Sequence, residues 1–383
     1  MSSAGPIVHS RARRIRDRSK PSIVSRLGSL PLNPRNWRAV LNALLREFNH
    51  RHTLLDKDVS YKTQEERQNC LFRFFEELRG LGYKLDPRSL GNKHIKAAVR
   101  AWVERGLSAA TIQTQLSFLS AFGDWIGKPG LVLNPEFYVD DPSLVKRTYV
   151  GTKDKSWSTN DVDVTALITE VMAYDIYAGV LLWVMAAFGL RVKEVLMVQP
   201  HIAIVPASAT GIAHPIAEYY LWLKRGTKGK RQRYIPIDND FKWAALAQAK
   251  KLAPTEEAHI GNPNYPTLKS AKERFYRVMK RFGITKKERG VTPHGLRHEY
   301  ANDRYEEFTG AKAPLRGGEA IDPAVDTDAR LKVAQELGHG RCAASGAYVG
   351  RVLSLKSKSE TKEVALAEDI PAALPKPSME DIS

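Results

Sequence analysis

The chain has 383 residues, 43% of them hydrophobic, and 59 Lys and Arg against 42 Asp and Glu give it a net charge of +17. That length is too great for one compact core and predicts two or three domains, and that charge predicts a polyanion as partner. Two cysteines, Cys70 and Cys342, lie far apart without metal-ligand spacing; they exclude a disulfide scaffold and a zinc site and predict a reducing, intracellular compartment. No apolar run is long enough to span a bilayer and no secretory signal opens the chain, so no membrane partner is expected.

Residues 1–33 read as a basic arm, disordered when free. Arg11, Arg13, Arg14, Arg16, Arg18, Lys20 and Arg26 face a single acid, Asp17, and apolar residues are too few for a core. Residues 34–130 read as a small all-helical domain built from RAVLNALLREF, SYKTQEERQNCLFRFFEELRGLG, KHIKAAVRAWVERG and SAATIQTQLSFLSAFGDWIG. In the second of these, Leu71, Phe74, Phe75 and Leu78 recur at helical spacing before Gly80 and Gly82. In the fourth, Ser108 caps a face of Ile112, Leu116, Leu119 and Phe122. These aromatic and aliphatic stripes are read as core. The periodicity fades over 131–158, a Pro-, Gly- and charge-rich stretch read as a linker.

A second folded region covers 159–352. Helices are predicted around DVTALITEVM, DIYAGVLLWVMAAFGLRVKEVLMV, LKSAKERFYRVMKRFG, Pro293 to Phe308, ARLKVAQELG and Tyr348. Between them, AEYYLWLKRGTKGKRQRYIPID reads as a hairpin with a Gly-Thr-Lys-Gly turn. The predicted fold is therefore mainly α with a small β-hairpin or sheet. The tail, 353–383, turns acidic: Glu360, Glu363, Glu368, Asp369, Glu380 and Asp381 outnumber Lys362 and Lys376.

Four stretches carry chemistry. In TPHGLRHEY, Thr292 is a good N-cap and Pro293 suits the first helical position, so His294 and Arg297 are expected one turn apart at a helix start, where unpaired N–H groups favour an anion such as phosphate. In FGLRVKEVL, Arg191 stands at the polar end of an apolar helix with Glu194 one turn on, a carboxylate able to hold the guanidinium for a ligand phosphate. KRGTKGKRQR places six cations in ten residues on the hairpin, suited to a nucleic-acid backbone. LGHGRCAASGAYVG sets His339 after Gly338 and Tyr348 nine residues later.

Arg191, the basic hairpin, His294-x-x-Arg297, Leu-Gly-His339 and Tyr348, in this order behind a helical domain with a T-I-x-x-x-L-S-x-L run, resemble the tyrosine recombinases, the phage-type integrase family. The resemblance covers most of the chain and implies a helical core-binding domain at 34–130 and an α+β catalytic domain at 159–352. It implies Tyr348 as nucleophile, Arg191 and Arg297 as the clamp on the scissile phosphate, and His294 and His339 as its hydrogen-bonding partners. Of three hairpin lysines, Lys224, Lys228 and Lys230, the spacing to Pro236 seen in similar proteins selects Lys228, with Lys230 as the fallback. The implied function is site-specific cleavage and rejoining of double-stranded DNA at attachment sites, through a 3′-phosphotyrosine and a Holliday junction. A homo-tetramer would carry it out on DNA to move a mobile element, aided by accessory DNA-bending proteins and without metal or other cofactor. The implied setting is the cytoplasm of a bacterium, at the nucleoid, encoded by the bacterium or a phage.

Elementary chemistry agrees with these roles. In-line attack on a phosphodiester builds negative charge on the non-bridging oxygens, which planar, permanently charged guanidinium forks neutralise. A phenol with an ordinary pKa of about 10 needs a base or a cationic pocket, and His294 is placed to accept its proton. The departing sugar oxygen needs a proton, which Lys228 would supply. One departure from the compact pattern is an apparent insertion, residues 306–328, between Arg297 and His339, expected as a loop that covers the site or touches a neighbouring subunit. The tail, with Val364, Leu366 and Ile370 as anchors, is expected to dock on the next subunit. Two other functions fit parts of the pattern: relaxation of DNA by a type IB topoisomerase-like enzyme, and a non-catalytic DNA-binding regulator.

Overall fold

The computed structural model describes residues 36–52, 57–339 and 342–351. The basic arm (1–33), the acidic tail (353–383) and the side chain of Lys230 lie outside the described residues. The chain divides into two compact units, Met1–Thr148 and Tyr149–Ser383.

The first unit is helical: α1 (Trp37–Phe48), α2 (Tyr61–Gly80), α3 (Asn92–Glu104) and α4 (Ala109–Trp125). Short polar side chains start three of them. Asn36 Oδ1 accepts the Ala39 N–H at 3.1 Å, Ser60 Oγ that of Thr63 at 3.2 Å and Ser108 Oγ that of Thr111 at 3.3 Å, satisfying donors that a helix leaves open. The periodic residues turn inward together: Leu71, Phe74, Phe75 and Leu78 of α2 meet Ile112, Leu116, Leu119 and Phe122 of α4 in one core. The Phe75 and Phe122 rings stand edge to face at 5.4 Å, and each buried phenylalanine contributes about 1.5–3 kcal/mol.

The stretch read as a linker is not a free tether. Tyr138 and Val145 are buried in the first unit, and Gln113 Nε2 donates to the Val145 carbonyl at 2.8 Å. Asp154, Ser156 and Trp157 are buried in the second unit. Proline, glycine and charge hide these anchors because none of them recurs at a helical or strand period.

The second unit contains α5 (Val164–Tyr174), α6 (Ile176–Phe188), α7 (Val192–Val195), β1 (Ile204–Pro206), β2 (Tyr219–Leu223), β3 (Arg233–Pro236), α8 (Asp240–Lys251), α9 (Leu268–Arg281), α10 (Gly295–Thr309), α11 (Pro323–Glu336) and α12 (Gly346–Val349). The sheet runs β1-β2-β3, antiparallel, with Ile204 opposite Leu221 and Leu221 opposite Ile235. Leu221, Leu223 and Ile235 enter the core, and the cationic connection of residues 224–232 joins β2 to β3, with Gly226 close against the backbone of Lys193 and Glu194. α6 is apolar nearly all round and is buried accordingly.

Four sequence expectations change here. The sequence does not mark strand β1 or helix α8; α8 buries Lys242 and two alanines, Ala245 and Ala249, beside the single large apolar residue Leu246, a weak periodic signal. The helix expected from Pro293 begins at Gly295. The Thr292 carbonyl, not its side chain, organises the entry by accepting the Gly295 N–H at 2.8 Å and Trp157 Nε1 at 2.8 Å. The segment FGLRVKEVL is not one helix: α6 stops at Gly189 (φ +59°) and Arg191 opens α7. The insertion shrinks to 310–322, because its first residues continue α10 and its Asp322-Pro323 pair is a cap and first turn rather than a loop.

Candidate active site

Two helix ends make the floor of the site. α6 terminates at Gly189, where any Cβ would come within 2.6 Å of the Tyr300 ring, and α11 terminates at Leu337, followed by Gly338 (φ +69°) against the Arg233 side chain. A helix C-terminus carries unpaired carbonyls and the negative end of the macrodipole. Both ends point at Arg297. Its Nη1 donates to the Gly189 carbonyl at 2.6 Å and its Nη2 to the Leu337 carbonyl at 2.5 Å. These bonds explain how a guanidinium with 0% exposure is tolerated. Burial, partly offset by Tyr348, brings its pKa down to about 10, so it stays charged near neutrality.

The rest of the site surrounds that cation. Arg297 Nε donates to the Tyr348 hydroxyl at 3.2 Å, and Nη2 lies 3.2 Å from His339 Nε2. The Tyr348 ring is ringed by three imidazoles, with centroids at 4.8 Å for His298, 5.6 Å for His339 and 6.2 Å for His294. Burial, followed by the charges of Arg297 and Arg191, pushes His339 down to about 4. His294 presents part of its ring to solvent, yet loss of surrounding water and then Arg297, Arg191 and Lys155 push it to about 4 as well. Both are neutral at pH 7 and able to donate or accept a hydrogen bond.

Arg191 is held by Glu194: Nη1 donates to Oε1 at 2.7 Å and the backbone N–H to Oε2 at 2.9 Å. Glu194 is fully buried and also receives Arg233 Nη1 at 3.0 Å and Nη2 at 2.8 Å. Burial opposes its ionisation, but Arg233, Arg191 and Arg297 outweigh burial and hold the carboxyl at about 2. One carboxylate therefore serves two arginines directly and a third at 3.9 Å.

The structure thus gathers Arg191, His294, Arg297, His339 and Tyr348. Lys228 stays apart on the hairpin connection, exposed and without a hydrogen bond or ion pair among the described residues, although its charge is one of those that depress His339. Of the other lysines, Lys224 lies over the Trp222 ring at 5.1 Å.

Two residues at the site were not singled out in the sequence. Arg233 shares the inward face of β3 with Ile235, and Ile237 just past the strand continues the alternation, so strand alternation alone pointed it inward. His298 follows His294 by four residues and therefore shares its helix face. Among the described residues no group of three or more His, Cys, Asp or Glu is arranged to hold a metal ion, and no helix is long and apolar enough to cross a membrane.

Residues 49–132 match the family "Phage integrase, N-terminal". A lambda integrase tetramer bound to a Holliday junction has a similar structure, with TM-score 0.51 and 17% identity over 88% of this chain and 83% of that one. A Tn1549 transposon integrase bound to a circular intermediate DNA gives TM-score 0.51 and 14% identity over 85% of this chain and 98% of that one. A lambda integrase dimer bound to a COC′ core site gives 0.50 and 16%, over 83% and 78%. Comparison with curated proteins gives no match. Residues 49–132 therefore match a phage integrase N-terminal domain, and the chain has the fold of the lambda and Tn1549 integrases.

Proposed function

We propose that this protein is a site-specific DNA recombinase whose nucleophile is Tyr348. The observation that carries the proposal is the 3.2 Å contact between Arg297 Nε and the Tyr348 hydroxyl, inside a ring formed by His294, His339 and the Glu194-anchored Arg191. A scissile phosphate entering between the arginines would meet two cations, neutral imidazoles and an attacking oxygen in one place. Tyr348 attacks phosphorus, its proton passes to the neutral imidazole of His294, and a 3′-phosphotyrosine forms as the sugar oxygen departs with a proton from Lys228. The phosphotyrosine keeps the bond energy, so rejoining needs no nucleotide cofactor.

Residues 34–130 would then grip DNA beside the cleavage site, 159–352 perform the chemistry, 1–33 neutralise phosphates, and 353–383 dock on the next subunit of a tetramer. Two rounds of strand exchange through a Holliday junction would integrate or excise a mobile element at its attachment sites, with accessory DNA-bending proteins. The solved integrases bound to core-site, junction and circular-intermediate DNA support this reading.

The test is covalent trapping on nicked duplexes from the ends of the protein's own element, with the linked residue mapped by mass spectrometry. The adduct is expected at Tyr348, and Tyr348→Phe is expected to bind DNA and form none. An adduct surviving in Tyr348→Phe would overturn the nucleophile, and plasmid relaxation without particular sites would favour the topoisomerase-like activity.

A further inference from the structure

The Tyr348 hydroxyl accepts a hydrogen bond from Arg297 but donates its own proton to no acceptor among the described residues. Beside it lies the converse. His298 is only 4% exposed, and its Nδ1 is buried with no hydrogen-bond partner among the described residues. A buried polar atom left unpaired costs free energy that an aliphatic side chain at the same helix position would avoid. Of the three imidazoles around Tyr348, the His298 ring is nearest. His339 already faces Arg297, and His294 stands outward, partly in solvent.

We propose that His298 is a positioning residue for the nucleophile: as the Tyr348 segment moves to attack, its hydroxyl donates to the His298 imidazole, and that bond turns an oxygen lone pair toward phosphorus. A neutral imidazole accepts at Nδ1 when its proton is on Nε2, and that is the tautomer the pairing uses. Burial, then His294, Lys155 and Arg297 against the opposing pull of Asp154, push His298 to about 4, which keeps it neutral at working pH. The site is built for the task, since His298 is fixed in the first turn of α10, one residue after Arg297. The same turn of α10 therefore aims both the clamp and the acceptor. The inference rests on Tyr348 being the nucleophile.

The test compares His298→Phe, which keeps a ring of similar bulk and removes the acceptor, with His298→Gln, which restores one, in the full chain on the nicked substrate. Both are expected to bind DNA as the unsubstituted protein does. Single-turnover cleavage by His298→Phe is expected to fall by about 10²-fold, the low end of what a positioned hydrogen-bonding group supplies, and His298→Gln to recover most of it. A His298→Phe variant that cleaves at the unsubstituted rate would overturn the inference alone. Equal slowing in both variants with equal loss of thermal stability would assign His298 to packing instead. Should His298→Phe not fold, histidine ¹⁵N resonances of the Tyr348→Phe protein on DNA decide. A changed His298 ring relative to the unsubstituted protein supports the pairing, and an unchanged ring refutes it. Absence of any adduct from the unsubstituted protein would remove the recombinase reading and this inference with it.

Discussion

Glu194 and Arg233, 39 residues apart in sequence, form a two-armed ion pair at 3.0 and 2.8 Å with both partners buried, and the same carboxylate fixes Arg191 at 2.7 Å. Strand β3 is thereby coupled to the start of α7 and to the proposed phosphate clamp. The hairpin that bears Lys228 is rooted in that strand, so the Glu194–Arg233 pair ties the proposed proton donor's scaffold to the proposed clamp.

Glu194→Gln is expected to destabilise the second unit by about 3–5 kcal/mol, because removing one partner of a buried pair leaves uncompensated charge. Cleavage should fall further than binding, since Arg191 loses its orientation while the DNA-facing cations remain. Denaturant unfolding, read together with adduct formation, checks this; an unchanged midpoint would show that the arginines find other counter-ions.

Lys228→Ala is expected to slow cleavage of an ordinary phosphodiester by about 10²-fold or more and to leave a 5′-thio substrate much less affected, because a thiolate departs without an acid. Equal losses on both substrates would take Lys228 out of the proton-donor role. Lys228 is exposed on its connection, so DNA bound there should raise the protection of residues 224–232 from proteolysis.

Acid should unfold the second unit in two windows. His298 is depressed from an ordinary value of about 6.5 to about 4. Below pH 6.5 the unfolded chain takes up a proton that the folded one refuses, so stability present above that pH falls by about 3 kcal/mol on reaching pH 4. Glu194, depressed to about 2, contributes stability that is full above its unfolded value and is lost as pH falls toward 2. Unfolding free energy measured from pH 7 to 4 should slope downward, and His298→Phe should reduce that slope without abolishing it, because His294 and His339 are depressed to about 4 as well. An identical slope in the variant would place the titration elsewhere.

Local chemistry determined much of this protein. Leu71, Phe74, Phe75 and Leu78, with Ser60 ahead of them, specify α2 because apolar spacing and capping act within one or two turns, and the same holds for Ser108 and α4. Arg191, His294, Arg297, His339 and Tyr348 were legible as a set because their residue types, order and neighbours carry the resemblance. What the tertiary structure alone decided is how these residues are held. Sequence spacing does not reveal that the carbonyl ends of α6 and α11, at Gly189 and Leu337, converge on one buried guanidinium, or that Arg233 shares Glu194 with Arg191. Nor does it reveal that His298 stands closer to the Tyr348 ring than the histidine of the motif. These are contacts between segments about 40 to more than 100 residues apart, and burial supplies their energy. A short-range pattern records which groups a segment offers, and only packing of the whole unit removes the water that makes a carbonyl, a carboxylate or an imidazole choose its partner.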